Sequence, residues 1–241
     1  MASYTYQKYF TFSAQEIRSL ILTIIVIGFI FSFKEWGVEK FDLLIGLKNF
    51  VNASLIVGLA FFVHEAVHRY FALKVGLKAE YKAWTFGLIL GIILIFISEG
   101  NLIFLAPGGI VISMLPGLRL GHFRYQMSYI TMGWIAVSGP LANIALAIFF
   151  KMLSALPLNP LLIEKAIFIN VWLAVFNMLP IPPLDGSKMM YASRFTYVLL
   201  LGFVVGVGAL LLWTNVLLSL LGGIAFALLV LFLYWMTFEK P

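Results

Sequence analysis

The chain has 241 residues, of which 63% are hydrophobic and 11% charged, and its mean hydropathy is +1.05. Because the apolar share of a soluble domain is typically about half, this composition excludes a soluble protein and indicates an integral membrane protein. The formal net charge of +6 is not concentrated in any run of basic residues, which argues against nucleic-acid binding and fits contacts with anionic lipid headgroups.

Six apolar stretches predict an all-α polytopic membrane protein with about six transmembrane helices. Ser13-Ala-Gln-Glu16 has the spacing of a capping box before the first stretch. That stretch lacks a small-x-small cleavage site, so we expect a retained helix rather than a signal peptide. Residues 1–241 are then expected to form a single integral-membrane domain. The predicted spans are residues 18–33, 50–75, 127–152, 163–179, 195–213 and 216–236.

The region between the second and third spans does not fit this helix count. Residues 86–97 are apolar nearly throughout, but they fall well short of the roughly 20 residues that a transmembrane helix needs. We expect a re-entrant or β-like segment here, because such backbone at membrane depth must be buried in protein or face a wet cavity. A seventh helix is the alternative. The sequence therefore leaves open whether residues 84–104 form a re-entrant loop, strands or an extra helix.

The distribution of lysine and arginine between the loops predicts the orientation. Most of the 16 basic residues fall in loops on one side of the six predicted spans, and the side richer in them is expected to be cytoplasmic. Both termini are then cytoplasmic, in a multi-pass protein of the cell membrane. Spans 50–75 and 163–179 both end near the cytoplasmic surface in this arrangement.

The most informative motif is His64-Glu-Ala-Val-His68, which lies within the second predicted span. Two histidines four apart on a helix share one face and can bind one metal ion, with Glu65 beside them as a general base. Ionisable residues within a membrane are energetically expensive and usually line a protein interior or a watery cavity. The motif therefore indicates a hydrolytic metal centre within the membrane, nearer its cytoplasmic side.

The third ligand of such a centre has few candidates. The chain has no cysteine, so a catalytic zinc would take histidine, aspartate or glutamate. His122 has no fixed spacing from the motif, and Asp42 is predicted on the outer side. Asp185 follows three prolines that end the fourth span, and Gly186 permits a turn. Because this turn is expected at the depth of the histidine pair, Asp185 is favoured.

Three separated motifs together resemble the site-2 proteases, a family of intramembrane zinc metalloproteases. They are His64-Glu-Ala-Val-His68, Ser138-Gly-Pro-Leu-Ala-Asn143 and the segment from Asn177 through Asp185-Gly186. The resemblance implies that Glu65 is the catalytic base and that Asn143 helps to position the substrate or its developing oxyanion. A helix-packing role for Asn143 stays open. The resemblance also implies three zinc ligands, which are His64, His68 and Asp185.

Two segments depart from the pattern of this family. Residues 82–104 are longer than the corresponding segment of the shorter members, so substrate access is expected to differ. Ser187-Lys188 stands in place of the more usual Gly-Gly or Gly-Arg, and it is not expected to touch the metal.

A transmembrane substrate exposes its scissile bond only after its helix unwinds, because every amide of a helix is hydrogen-bonded. The segment Ala106-Pro-Gly-Gly-Ile110 is either an exposed strand that pairs with the unwound substrate or a plain Pro-Gly turn. The residues expected to bind substrate are Asn143, Gly108, Gly109 and Asn177.

The sequence therefore predicts a zinc-dependent metalloendopeptidase that cleaves peptide bonds within or next to transmembrane segments, using a zinc-activated water and Glu65 as general base. The expected partners are a transmembrane protein substrate and the lipid bilayer, with no nucleic acid. The alternative is a polytopic membrane metal transporter or metal-binding protein, although a transporter should carry acidic residues or histidines in several spans.

Overall fold

The computed structural model describes residues 10–37, 40–115 and 128–239. The chain forms two compact units, Met1–Met127 and Ser128–Pro241. Within the described residues, six helices are long and apolar enough to cross a membrane, which confirms the predicted all-α polytopic fold. They are Ala14–Ser32, Leu43–Lys74, Tyr129–Leu153, Pro160–Asn177, Arg194–Trp213 and Val216–Phe238.

The first unit begins with two long helices, α1 (Ala14–Ser32) and α2 (Leu43–Lys74). The predicted capping box is confirmed at the start of α1, where the Ser13 hydroxyl accepts from the Glu16 N–H and the Glu16 carboxylate accepts from the Ser13 N–H. The second span starts earlier than predicted, because the Asp42 side chain caps α2 by accepting from the Ile45 N–H at 3.0 Å.

A small antiparallel sheet follows α2. Strand β1 (Leu77–Ala83) pairs with strand β2 (Gly108–Met114), with Leu77 opposite Met114 and Ala83 opposite Gly108. Of the two alternatives for residues 106–110, the strand is confirmed over Gly108–Ile110, but these three residues are buried rather than exposed. These two strands form the only sheet among the described residues.

Between the two strands lies a short helix, α3 (Thr85–Ile97), of 13 residues. Residues 86–97 are therefore helical, the alternative that the sequence left open, and the β-like segment between the second and third spans is the strand pair on either side of this helix. Gly87 and Gly91 share one helical face, and a Cβ on either would come within 3 Å of a backbone oxygen of the loop between α3 and β2. Close packing on that loop favours the helix, which at about 20 Å is too short to cross the roughly 30 Å hydrocarbon core.

The second unit is entirely helical within the described residues. Its core contains Val137, Ala174, Met178, Met189 and Val204. The two helices that carry Gly206 and Gly223 pack closely together: a Cβ on Gly206 would lie only 3.0 Å from the Cα of Gly223. The elements are α4 (Tyr129–Leu153), α5 (Pro160–Asn177), α6 (Asp185–Ala192), α7 (Arg194–Trp213), α8 (Val216–Tyr234) and a π-helical turn (Trp235–Glu239).

Candidate metal centre

The histidine pair lies on the second half of α2, and both side chains are buried. The ring centroids of His64 and His68 are 4.6 Å apart and their planes are nearly perpendicular, at 83°. The helical spacing thus brings both imidazoles to one face, as the sequence predicts. Glu65, the residue after His64, is also buried.

Arg69, the residue after His68, is buried and joins this part of α2 to residues 11–16. The Arg69 guanidinium forms an ion pair with Glu16 and donates to the Thr11 carbonyl. It also lies over the Phe12 ring, 4.1 Å from the centroid. The sequence analysis counted Arg69 only as one of the basic residues assigned to the cytoplasmic loops. Its position one turn after Glu65 in an apolar helix was the signal that it needs a buried partner.

Asp185 is buried at the first position of α6, directly after the proline-rich turn. The turn contains a cis peptide bond between Pro182 and Pro183. A Cβ on Gly186 would overlap the Met178 carbonyl and lie 2.8 Å from the Leu179 carbonyl oxygen. Glycine after Asp185 is therefore required by the close approach of this backbone.

Two side chains brace the same turn from outside it. The Tyr197 hydroxyl donates to the Met178 carbonyl at 3.0 Å. The Lys188 ammonium donates to the Pro183 carbonyl at 2.8 Å and lies 3.5 Å from Oδ1 of Asp185. Lys188 therefore contacts the predicted metal ligand itself, which sequence reasoning did not foresee.

The structure brings the three predicted ligands together. One ligand atom from each of His64, His68 and Asp185 lies within 4.8 Å of the other two, and all three residues are buried. Two atoms bound to one tetrahedral zinc at about 2.0–2.2 Å lie about 3.3–3.6 Å apart, so zinc binding would draw these atoms together by up to about 1.5 Å. Two imidazole nitrogens and one carboxylate oxygen match the three protein ligands of a catalytic zinc. This group could hold a metal ion.

The predicted substrate-positioning residue Asn143 is buried on α4 and is linked to an asparagine on α5. Its Nδ2 donates to Oδ1 of Asn170 at 3.0 Å, and Asn170 in turn donates to the Ala166 carbonyl at 2.8 Å. Asn170 was missed by sequence reasoning, although an amide inside an apolar span is a signal of function. Asn177 donates to the Leu173 carbonyl one turn back at 3.0 Å.

Gly108 and Gly109 occupy the first two positions of β2, opposite Ala83 and Lys82. Gly108 has a φ of +142°, and a Cβ there would lie 2.9 Å from the Cα of Ala83. Only glycine fits this position without strain. Substrate binding by the two glycines and by Asn177 stays a prediction. His122 lies outside the described residues.

Comparison with known proteins identifies a relative in an archaeon. The protein of Methanocaldococcus jannaschii named "Putative zinc metalloprotease MJ0611" is 37% identical over 192 residues, which cover 78% of this chain and 90% of the relative. No family model matches the chain, and no solved structure matches it. The identity and coverage show common descent over nearly the whole relative. The chain therefore belongs to the zinc metalloprotease family of this archaeal protein.

Proposed function

We propose that the protein is an intramembrane zinc endopeptidase, similar to the site-2 proteases, that hydrolyses peptide bonds within or next to transmembrane segments. One observation carries this proposal. A buried group of two histidines and one aspartate has ligand atoms within 4.8 Å of one another, and the described part of the chain has six helices apolar enough to cross a membrane. The name of the archaeal relative supports the zinc protease class.

Each residue of the group has a defined task in this proposal. His64, His68 and Asp185 would hold zinc, which when bound acidifies a water molecule and polarises the scissile carbonyl. Glu65 accepts a proton from that water as its oxygen adds to the carbonyl carbon. The same carboxyl group then returns the proton to the amine nitrogen as the C–N bond breaks.

Asn143 is proposed to position the substrate or its developing oxyanion. A hydrogen-bond donor to an oxyanion lowers the barrier by about 3–4 kcal/mol where this has been measured. The Asn170 oxygen, which accepts from Asn143 at 3.0 Å, fixes the orientation of the Asn143 amide. The two buried asparagines thus act together, with Asn170 as the positioning partner.

The strand β2 is proposed to bind the unwound substrate along its outer edge. Because Trp84 donates to the Pro107 carbonyl at 2.9 Å, these two residues form a hydrogen-bonded pair, and the pattern alternates along the sheet. The N–H and C=O groups of Ile110 and Ile112 therefore point away from β1. An extended substrate segment could pair with these groups by strand addition.

The proposed membrane orientation follows from the excess of basic residues in the loops on one side. With six spans, both termini lie in the cytoplasm of a cell whose plasma membrane contains the protein. The metal centre then lies nearer the cytoplasmic surface, because α2 carries its histidines in its second half.

The decisive experiment compares the zinc-loaded protein with its Glu65→Gln variant in liposomes that contain a single-span test substrate. We expect the variant to retain zinc, measured by mass spectrometry of the metal, and to lose cleavage. Persistent cleavage by the variant would contradict the assignment of Glu65 as the base. Zinc flux into the liposomes without cleavage by either protein would instead favour the metal transporter.

A further inference from the structure

Tyr81, a buried residue of β1, joins three elements of the first unit. Its N–H donates to a carboxylate oxygen of Glu16 at 3.1 Å, next to the start of α1. Its hydroxyl donates to the Pro107 carbonyl at 2.8 Å. The same hydroxyl lies 2.8 Å from Oγ1 of Thr23 on α1, and since its proton is given to Pro107, Thr23 is the donor in that bond.

The carboxylate that holds Tyr81 also holds the helix of the histidine motif. Glu16 accepts both the Tyr81 N–H and the guanidinium of Arg69, the residue that follows His68. Both members of this ion pair are buried, so removal of either would leave the other as an unpaired charge in the apolar interior. The pair therefore fixes β1 to the metal-binding part of α2.

The Tyr81 ring provides a second connection to the same helix. Its centroid lies 6.0 Å from that of Phe61, and Phe61 lies 6.2 Å from His64. The ring is thus packed beside the histidine motif, while the hydroxyl reaches the residue that precedes Gly108. A substitution of Tyr81 by phenylalanine would keep the ring contact and remove only the hydroxyl bonds.

The start of β2 needs such an external anchor. The pairing register of a strand is weakly specified where the strand is rich in glycine, and β2 opens with Gly108 and Gly109. If the substrate strand paired with β2 one residue out of register, every substrate side chain would turn to the opposite face. The hydrogen bond from Tyr81 to Pro107 holds the backbone immediately before these glycines.

We propose that Tyr81, held by Glu16 and Arg69, is a positioning residue that sets the register of the substrate strand on β2 and thereby selects the peptide bond that is cut. This inference rests on the proposed function. The ion pair between Glu16 and Arg69 would then keep the substrate strand at a fixed distance from the histidine motif.

The first test measures cleavage by the Tyr81→Phe variant. We expect KM for a transmembrane substrate to rise about 3- to 10-fold, as for the loss of one or two hydrogen bonds, with a smaller change in kcat. Mass spectrometry of the products should show cuts at neighbouring bonds in addition to the original one. Zinc content should be unchanged.

The matched control is Ser32→Ala. Ser32 is buried on α1, and its hydroxyl also donates to a backbone carbonyl, that of Phe29, at 3.1 Å. Its loss removes the same kind of bond but not one that holds the β2 backbone. We therefore expect cleavage by this variant to stay at a single bond.

The second test reads the register without catalysis. The chain has no cysteine, so Val111→Cys on β2, where the side chain is 51% exposed, gives a unique thiol. In a Glu65→Gln background and with a mild added oxidant such as diamide to accept the two electrons, substrates with one cysteine at successive positions should form a disulfide mainly at one position, because the bond needs a short Cβ separation. Adding Tyr81→Phe should spread disulfide formation to positions two residues away.

The outcomes separate this inference from the proposed function. Cleavage by the Glu65→Gln variant, or none by the native protein, would reject both. If those controls behave as expected, an unchanged cleavage bond and disulfide pattern in Tyr81→Phe would reject the inference alone. Loss of zinc by Tyr81→Phe would also reject it, since the role would then be structural. If that variant does not fold, Thr23→Val decides: an unchanged disulfide pattern rejects the inference, and a spread pattern supports it.

Discussion

The histidine pair and the aspartate turn are held in place by opposite means. His64 and His68 lie on one uninterrupted helix of 32 residues, whose backbone hydrogen bonds alone determine that both rings share a face. Asp185 starts an eight-residue helix after a turn of three prolines, and its position depends on individual side-chain contacts. A regular helix thus tolerates most local changes, whereas the loss of a single contact in the turn should weaken zinc binding.

The largest expected effect comes from removing a ligand in either region. His68→Ala and Asp185→Ala should each lower zinc affinity by more than the roughly 10- to 100-fold seen when an outer-shell partner is lost. Competition with a metal chelator would measure this for each variant. Glu65→Gln is the control that keeps zinc. Normal zinc affinity in Asp185→Ala would contradict the claim that both regions supply ligands, because the turn would then contribute none.

The next effect tests the buried ion pair that holds the helical region. Glu16→Ala leaves the guanidinium of Arg69 buried without its counter-charge, which should lower the free energy of unfolding by about 3–5 kcal/mol. The double variant Glu16→Gln with Arg69→Met removes both charges and should recover much of that loss. Thermal unfolding in detergent would measure both. A single variant as stable as the native protein would show that the ion pair does not hold the helix.

A smaller effect separates the turn from the helix through two glycines. Gly186→Ala would place a methyl group against the Met178 carbonyl, and such overpacking should destabilise the protein by about 1–3 kcal/mol and weaken zinc retention. Gly58→Ala on α2 is the matched control, since its Cβ would meet Ile24 at an ordinary 3.7 Å. Unfolding and zinc content would be measured for both. Equal stability of the two variants would contradict the proposed difference.

These two regions also explain what could be predicted from the sequence. The facing of His64 and His68 follows from helical periodicity, and the prolines before Asp185 indicated where a helix ends. Contacts between residues far apart in the chain leave no such local signal. Glu16 was predicted only as a helix cap, and its bond to Arg69, 53 residues away, could be found only in the folded structure.

The conformation of the short helix α3 could not be decided from the sequence for a related reason. Its 13 residues are almost uniformly apolar, so neither helical nor strand periodicity is visible. In the structure, the backbone of the loop after α3 packs against Gly87 and Gly91, a contact that no local pattern in the sequence indicates.

The smallest expected effect concerns the lysine that braces the turn. Lys188→Met removes the bond to the Pro183 carbonyl and the positive charge 3.5 Å from Asp185. Loss of one hydrogen bond lowers stability by about 1 kcal/mol, and a less firmly held Asp185 should bind zinc about tenfold more weakly. Lys48→Met, an exposed position on α2, should change neither quantity. If zinc affinity is the same in both variants, Lys188 does not orient the ligand, and the turn is rigid without it.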